Sequence, residues 1–595
     1  MRKTHLIDNE RGIALITVLL VALVVGVFSV AAALIGTNSG LINRYQERQN
    51  TLDAVADAGV ELARSTLNAN PALYPANGYT TLESGAAVTD ASGAVIPNIT
   101  RSLYAGPTGI TSGQYGVFGS VVAVTTDGFG NTVVRRGEVV QQSFARYAYF
   151  TNNEGAIRFG AGDQLWGPVH SNTSIGIWNG PPNPSATFWD RVTVATGQTI
   201  INPGPATFVQ GWGNVPPVPL PNLANLNALQ VQAQLGNTSF NGSATGSPGA
   251  ATTRIEFIAI DLNADGQVTG DNEGFMRVYQ CLNLANNNCA LWVAAKVPGG
   301  GIDDSDNCGH YHTNPPFPPA PPLFVSANVH GGEPSADSWS DALTSASRRC
   351  YLGGADELWG GFQAADAMGQ WLQWPGGVPG AIAGRPDAQY LFPITRAFNP
   401  NFKGVVYVNG NVVVSGVVRS RVTLAATGNI VVADDVVYAN PGAGNCNDIL
   451  GLFAGGSIVL SDNTINTPTS IGGTYRTYDD TRDEFIQAIV LTLNIFTAEN
   501  FASGPDANDP GGESCGAQAW GRGCLFLTGG VIQQTRGGVG TTGGTGYVKR
   551  YTYNQCGASA PPPYFPTTGY FDRGRYYEVN PVGFDVATLF ALLTP

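Results

Sequence analysis

The stretch Asp261-Leu262-Asn263-Ala264-Asp265-Gly266-Gln267-Val268-Thr269 has residue types and spacing suited to cation binding. Oxygen-bearing side chains stand at the first, third and fifth positions, glycine supplies the sharp turn at the sixth, and the carbonyl of Gln267 falls at the seventh, which is the ligand order of a calcium loop. The twelfth position is Asn272, where such a loop carries a bidentate acid, and Asp271 and Glu273 flank it. Asp261, Asn263, Asp265, Gln267, Asp271 and Glu273 are therefore candidate calcium ligands, against the alternative of an Asx-rich turn. Cys308, His310 and His312 alternate, so on a strand they would share one face as zinc ligands do, but no fourth ligand is evident and a disulfide cysteine beside surface histidines fits better. Near the C-terminal end Arg419, Arg421, Lys549, Arg550 and Tyr551 combine cations with an aromatic ring, the pairing that holds phosphates and stacks bases, and are candidate ligand-binding residues; ordinary solvated arginines and core tyrosines are the alternative. Asp434 and Asp435 suggest paired carboxylates, yet adjacent strand residues point to opposite faces, so they cannot line one cleft. No nucleophile elbow, phosphate loop or HExxH motif is present, and the chain reads as non-catalytic.

The elements that must carry these residues follow from composition. The chain has 595 residues, enough for several domains, and its 77 glycines and 38 prolines accompany 43% hydrophobic content, which is too much for a disordered chain and points to many short strands joined by turns. Net charge is −13, so a broad basic surface for nucleic acid is absent and any such binding needs a local patch. All eight cysteines, Cys281, Cys289, Cys308, Cys350, Cys446, Cys515, Cys524 and Cys556, lie in the distal part of the chain, as expected of disulfides formed outside the cytoplasm. Sequence proximity suggests Cys281 with Cys289, Cys515 with Cys524, Cys308 with Cys350 and Cys446 with Cys556, among about 105 combinatorial pairings.

From Ile13 to Asn43 no residue is charged, and the stretch to about residue 36 is apolar enough to span a bilayer, with Arg2, Lys3 and Arg11 on the cytoplasmic side. The first proline is Pro71, and Tyr45, Leu52, Ala56, Gly59 and Ala63 recur at helical spacing, so a single helix continues to about Leu67. Its first half is apolar all round and its second half has one apolar face, as suits a helix that leaves lipid and packs on a globular head. Between Asn68 and Tyr147 the pattern alternates, and Asp127-Gly128-Phe129-Gly130-Asn131 reads as a hairpin turn.

Glu10-Arg11-Gly12 followed by Ile13-Ala14-Leu15-Ile16-Thr17 resembles the leader of type IV pilins, and Ala54 to Ala63 is similar to the second half of a pilin helix, closest to the PilX-like N-terminal domain of minor pilins. The resemblance implies cleavage by a prepilin peptidase between Gly12 and Ile13. It departs at the fifth mature position, where most pilins carry glutamate and this chain has Thr17. It further implies a single-pass inner-membrane protein that passes into an extracellular pilus at or near its tip. The partners implied are other pilins, the inner-membrane assembly machinery, membrane lipid, and DNA or a surface polysaccharide.

Beyond the head, VYVNGNVVVSG (406–416), LAATGNIVVADD (424–435), LFAGGSIVLSDN (452–463), LTLNIFTAEN (491–500) and LFLTGGVIQQ (525–534) align when Gly410, Gly428, Gly456, Leu493 and Gly529 are taken as equivalent. Each is a short aliphatic strand, a tight turn and a second strand, a unit that buries its apolar face only when stacked. LWGPVHSNTSIGIWNG (165–180) has the same character, and YAYFTNNEGAIRFGAGDQLWGPVHSN (147–172) with the closing GTGYVKRYTYNQ (544–555) and PPPYFPTTG (561–569) resembles pilus-associated proteins in which a PilX-type anchor carries a solenoid-like ectodomain, such as the large β-solenoid-bearing tip pilin of competence systems. The expected fold class is thus mainly β, with a long N-terminal transmembrane α-helix, a pilin-like α+β head and a large β-solenoid-like ectodomain with inserted loops. The expected divisions are a leader (1–12), a helix (13–67, with 13–36 in the membrane), a β head (68–150), the start of the solenoid (151–200), inserted loops holding the calcium-loop candidate (201–400), and further coils with a closing segment (401–595). A β-sandwich is the competing architecture. The expected function is that of a minor pilin acting in assembly and in surface or DNA binding; the alternative is a membrane-anchored β-helix enzyme or adhesin acting on polysaccharide.

Overall fold

The computed structural model describes residues 10–160, 162–180, 186–242, 251–260, 262–263, 268–281, 310–312, 323–325, 369–384, 387–440, 446–461, 484–499, 501–502, 523–541 and 545–595. The chain is mainly β, with a long N-terminal apolar helix, and divides into two compact units.

The first unit comprises residues 1–110, 118–140 and 570–595. Its helix α1, Glu10–Ala69, runs unbroken for 60 residues, about 90 Å at 1.5 Å per residue. Large apolar side chains from Ile13 to Tyr45 are exposed, while Leu52, Val55, Ala56, Val60, Ala63 and Leu67 are buried, so the apolar stripe is covered only in the second half. The cover is an antiparallel sheet of β1 (Thr80–Thr89), β2 (Val95–Gly106), β3 (Phe118–Asp127), β4 (Thr132–Ser143) and the strand Thr567–Val579, in that order. Strand alternation divides its apolar residues between two faces: Val133 packs with Leu52, Val55 and Ala56, whereas Val122 and Val134 pack with Phe590 of the helix Val586–Leu592. Gly59 permits close approach of α1, since a Cβ there would lie 2.9 Å from Ala123 Cβ and 2.9 Å from Arg101 Cδ. The β3–β4 hairpin turns at Asp127, whose carboxylate accepts from the backbone N–H groups of Phe129 and Asn131, both at 2.9 Å.

The second unit comprises residues 111–117 and 141–569. Strands Val405–Asn409, Arg421–Ala426, Ile449–Ala454 and Glu484–Thr492 form one parallel ladder, with Tyr407 opposite Ala425, Ala425 opposite Phe453, and Phe453 opposite Leu491. A second parallel ladder places Val412, Ile430, Ile458 and Phe496 in register. Every residue of Ile449–Ala454 and of Glu484–Thr492 is buried, which is why these strands read as continuous aliphatic runs without alternation. One core holds side chains of both ladders, including Val406, Leu424, Leu452 and Val490 from the first and Val412, Ile430, Ile458 and Phe496 from the second.

The turn between the ladders explains the Gly-Asn repeat. Asn411 Oδ1 accepts from Asn429 N at 2.7 Å, and Asn429 Oδ1 accepts from Ser457 N at 2.8 Å. Asn494 Nδ2 then donates to Ser457 Oγ at 3.0 Å. The glycine before each acceptor of the next layer makes room for this side chain: a Cβ on Gly428 would lie 2.2 Å from Asn411 Oδ1, and one on Gly456 would lie 2.3 Å from Asn429 Oδ1. Gly410, Gly428 and Gly456 are stacked as expected. The last two proposed equivalents are not, because Ala454 pairs with Thr492, which makes Asn494 and not Leu493 the counterpart of Gly456. Gly529 pairs with Ala488, and the residue opposite Thr492 is Gln533. Aliphatic runs are uniform enough for an alignment to slide along them, whereas the asparagine bonds are not.

A second run of parallel strands sets Tyr149, Val169, Val192 and Trp212 in register. It joins the first ladder through Val531, which pairs with Tyr149, and through Tyr547–Tyr553, which lies between Gly523–Thr535 and Gln164–Trp166. Within the region expected to be inserted loops, Thr253–Ala259 adds to the second ladder, with Arg254 opposite Val413, and forms a hairpin with Gly274–Cys281.

Candidate functional site

Glu10, Arg11 and Gly12 lie in the first turn of α1. The helix that begins there is long and apolar enough to cross a membrane. At the fifth position after Gly12, the Thr17 hydroxyl donates to the Ile13 carbonyl at 2.7 Å, so its polar group is satisfied within the helix.

Of the candidate calcium ligands, Asp261, Asp265 and Gln267 lie outside the described residues. Glu273 is buried and turned back on its own loop, with Oε1 accepting from Leu262 N at 3.2 Å and Oε2 from Gly270 N at 2.6 Å. The Asp271 side chain is 95% exposed and 3.4 Å from Arg419. Asn263 lies within the described residues. Among the described residues no group of three or more His, Cys, Asp or Glu side chains could hold a metal. Cys446 and Cys556 form a disulfide, with Cα atoms 5.4 Å apart. Cys281 and Cys524 are also disulfide-bonded, while Cys289, Cys308, Cys350 and Cys515 lie outside the described residues.

The five basic and aromatic candidates fall into two separate places, and neither is an exposed stripe. At the first, Arg419 is buried, with Nη1 on Asp448 Oδ1 at 2.6 Å and Nη2 on the Thr269 carbonyl and Asp271. Burial pushes the Asp448 carboxyl up, and the guanidinium opposes that shift. Arg421 donates from Nη2 to the Pro561 carbonyl at 2.7 Å and stands over the Tyr115 ring at 5.3 Å. At the second, Lys549 Nζ is 3.1 Å from both Asp163 oxygens, Arg550 Nη1 donates to the Gly162 carbonyl at 3.0 Å, and Tyr551 is a core residue. Beside them Arg536 pairs with Glu154 at 2.8 Å, Tyr149 donates to the same carboxylate at 2.9 Å, and Arg536 stands 3.6 Å from the Phe159 ring centroid. Desolvation lowers the Lys549 pKa and raises those of Glu154 and Tyr551. Asp448 and Asp163 are buried and hold Arg419 and Lys549 as ion-pair partners, while Arg421 and Arg550 bond backbone carbonyls.

Sequence reasoning did not find Arg396, Tyr115 and Thr395, which come together with Arg419 and Arg421 around a cavity of about 270 Å³. Nor did it find the buried group of Glu256, Arg277 and Asp387, with Arg277 bonded to Glu256 at 3.2 Å and Asp387 at 3.1 Å. The only advance signal was arginine inside an otherwise aliphatic strand, as at Arg254 and Arg277, a residue type rarely buried without a partner.

No family model and no curated protein matches the chain. Among solved structures, that of the competence-associated pilin ComZ from Thermus thermophilus is similar at 12% identity, covering 85% of this chain and 88% of that one, with a TM-score of 0.21, which is too low to show a shared fold.

Proposed function

We propose that the chain is a minor type IV pilin, anchored in the inner membrane by α1 before assembly and then carried to or near the tip of an extracellular pilus. The observation that carries this reading is α1: one unbroken helix, apolar from Ile13 to about residue 36 and exposed on to Tyr45, then packed through Leu52, Ala56, Val60 and Ala63 on an antiparallel sheet. Exposed apolar surface of that extent needs lipid or other such helices around it. The Glu10-Arg11-Gly12 leader resemblance supports processing by a prepilin peptidase, and other pilins and the assembly machinery are the partners that follow. The parallel ladders are taken as coils of a β-solenoid that carries a binding surface. The protein acts through assembly and surface binding, without catalysis; calcium in the 261–273 loop is part of the same proposal.

Mass spectrometry of the mature N-terminus and immunogold electron microscopy, in wild type and in Gly12→Leu, test the reading. A chain beginning at Ile13, with label at pilus ends, both lost in the variant, is the expected result. An N-terminus indifferent to Gly12, with label confined to the envelope, would refute it.

A further inference from the structure

We propose that the cavity lined by Arg396, Arg419 and Arg421 binds an acidic sugar unit of the uronate class, with its carboxylate on the guanidinium groups. The proposal stands on the ladder unit alone and does not depend on the pilin reading.

Charge is the first ground. Arg396 bonds only neutral acceptors, with Nε on the Phe402 carbonyl at 3.2 Å and Nη2 on Gln114 Oε1 at 2.6 Å. Arg421 likewise donates to the Pro561 carbonyl, and among the described residues neither arginine has an ion pair. Arg419 is balanced by Asp448 from behind and by Asp271, whose exposed carboxylate lies at 3.4 Å. Three guanidinium groups therefore line a space in which, among the described residues, Asp271 is the one acidic lining residue, and the surplus is positive.

Unmade hydrogen bonds are the second ground. Arg419 Nε, Arg421 Nε and Thr395 Oγ1 are buried with no partner among the described residues, although Arg419 is only 2% exposed and Thr395 only 6%. Buried donors left without acceptors are costly, and three residues lining one cavity carry them, although these three atoms are themselves shut off from its open space and it is the remaining guanidinium nitrogens that face a ligand. A carboxylate supplies up to four lone pairs in a geometry that matches the guanidinium fork. Ser420, between two of the arginines, is held at φ 153°, a conformation that non-glycine residues rarely adopt.

Size and lining choose the sugar. At about 270 Å³ the cavity is just below the roughly 300 Å³ at which pockets for drug-sized ligands begin, so it takes one ring-sized group. Gln114, Ser420 and Asn447 offer hydroxyl and amide groups, and Tyr115, 48% exposed, offers a ring against which the C–H face of a pyranose can lie. A nucleic-acid backbone needs a row of cations at phosphate spacing, and the other basic candidates, Lys549 and Arg550, are engaged by Asp163 and Gly162.

Isothermal titration of the full chain in detergent with glucuronate, glucose, inorganic phosphate and a short single-stranded oligonucleotide tests this. Glucuronate should bind, with glucose weaker by roughly 10- to 100-fold, the value of a charged hydrogen-bonded pair. Arg396→Gln, in an exposed position, should lose a similar factor for glucuronate while its thermal midpoint stays at the wild-type value. Equal binding of glucose and glucuronate, tighter binding of phosphate or oligonucleotide than of glucuronate, or no heat with glucuronate at millimolar concentration would each overturn the proposal.

Discussion

Replacing Gly428 by alanine, alone and together with Asn411→Ala, probes the device that stacks the ladders. Asn411→Ala removes the oxygen that accepts from Asn429 N, and leaving that N–H unmet should cost about 1–3 kcal/mol. Gly428→Ala puts a Cβ 2.2 Å from the same oxygen, which must move away by more than an ångström, so the bond is lost here as well. The new methyl also lies 2.9 Å from Gly410 C and 3.0 Å from Asn411 N, and overpacking against backbone of this kind adds about 1–3 kcal/mol. The single alanine at position 428 should therefore be the more damaging, at about 2–6 kcal/mol by summing these two effects. In the double variant the bond is lost only once and the side-chain clash is gone, so the combined loss should fall short of the sum by about 1–3 kcal/mol, the value of the shared bond. Calorimetric melting of the full chain in detergent, compared across the four proteins, measures this. Midpoint shifts that simply add would refute the idea that the glycine exists to seat the asparagine.

Other perturbations address other parts of the molecule. Cys446→Ser with Cys556→Ser opens a link across 110 residues of chain and should cost about 4–5 kcal/mol in a chain-entropy account, read as a lower midpoint than the oxidised parent. Glu256, buried beside Arg277, has its carboxyl pushed by burial from 4.5 up to about 7, so the folded state holds this proton more tightly than the unfolded one. Its contribution to stability is full below about pH 4.5 and is lost as pH rises through about 7, and Glu256→Gln should flatten that part of a midpoint-against-pH curve. Gly59→Leu should lift α1 from the sheet and destabilise the first unit by roughly 3 kcal/mol or more, whereas Gly26→Leu, with nothing within 4 Å of its Cβ, should leave amide exchange in the sheet unchanged.

Much of this arrangement was legible because it is local. A stretch without charge or proline from Ile13 onward reads as a helix long and apolar enough to span a bilayer, and the apolar spacing from Leu52 to Ala63 identifies the face that packs. Asp127 and Gly130 specify their hairpin through side-chain acceptance and a φ of +86°. Gly428 and Asn429, like Gly456 and Ser457, record a contact made at a fixed offset in each layer, so it reappears in the sequence as a repeat.

What the sequence by itself determined is therefore the set of units that cannot bury their own apolar faces: a half-covered helix, an alternating sheet, and aliphatic strands that must stack. Tertiary structure decided which partners they take. Val531 meets Tyr149 across almost the whole sequence of the second unit, and Tyr547–Tyr553 enters between the strand that precedes it, Gly523–Thr535, and Gln164–Trp166 from far earlier in the chain. A parallel ladder accepts any aliphatic strand of suitable length, so the choice rests on shape and chain reach. The charged residues were decided in the same way. Arg419 and Lys549 were readable as cations, but only the fold brought Asp448 and Asp163 within bonding distance of them and left Arg396 and Arg421 facing a cavity without an acid of their own. Charge type is a property of the residue, whereas its neutralisation depends on distances that close only when the ladders do.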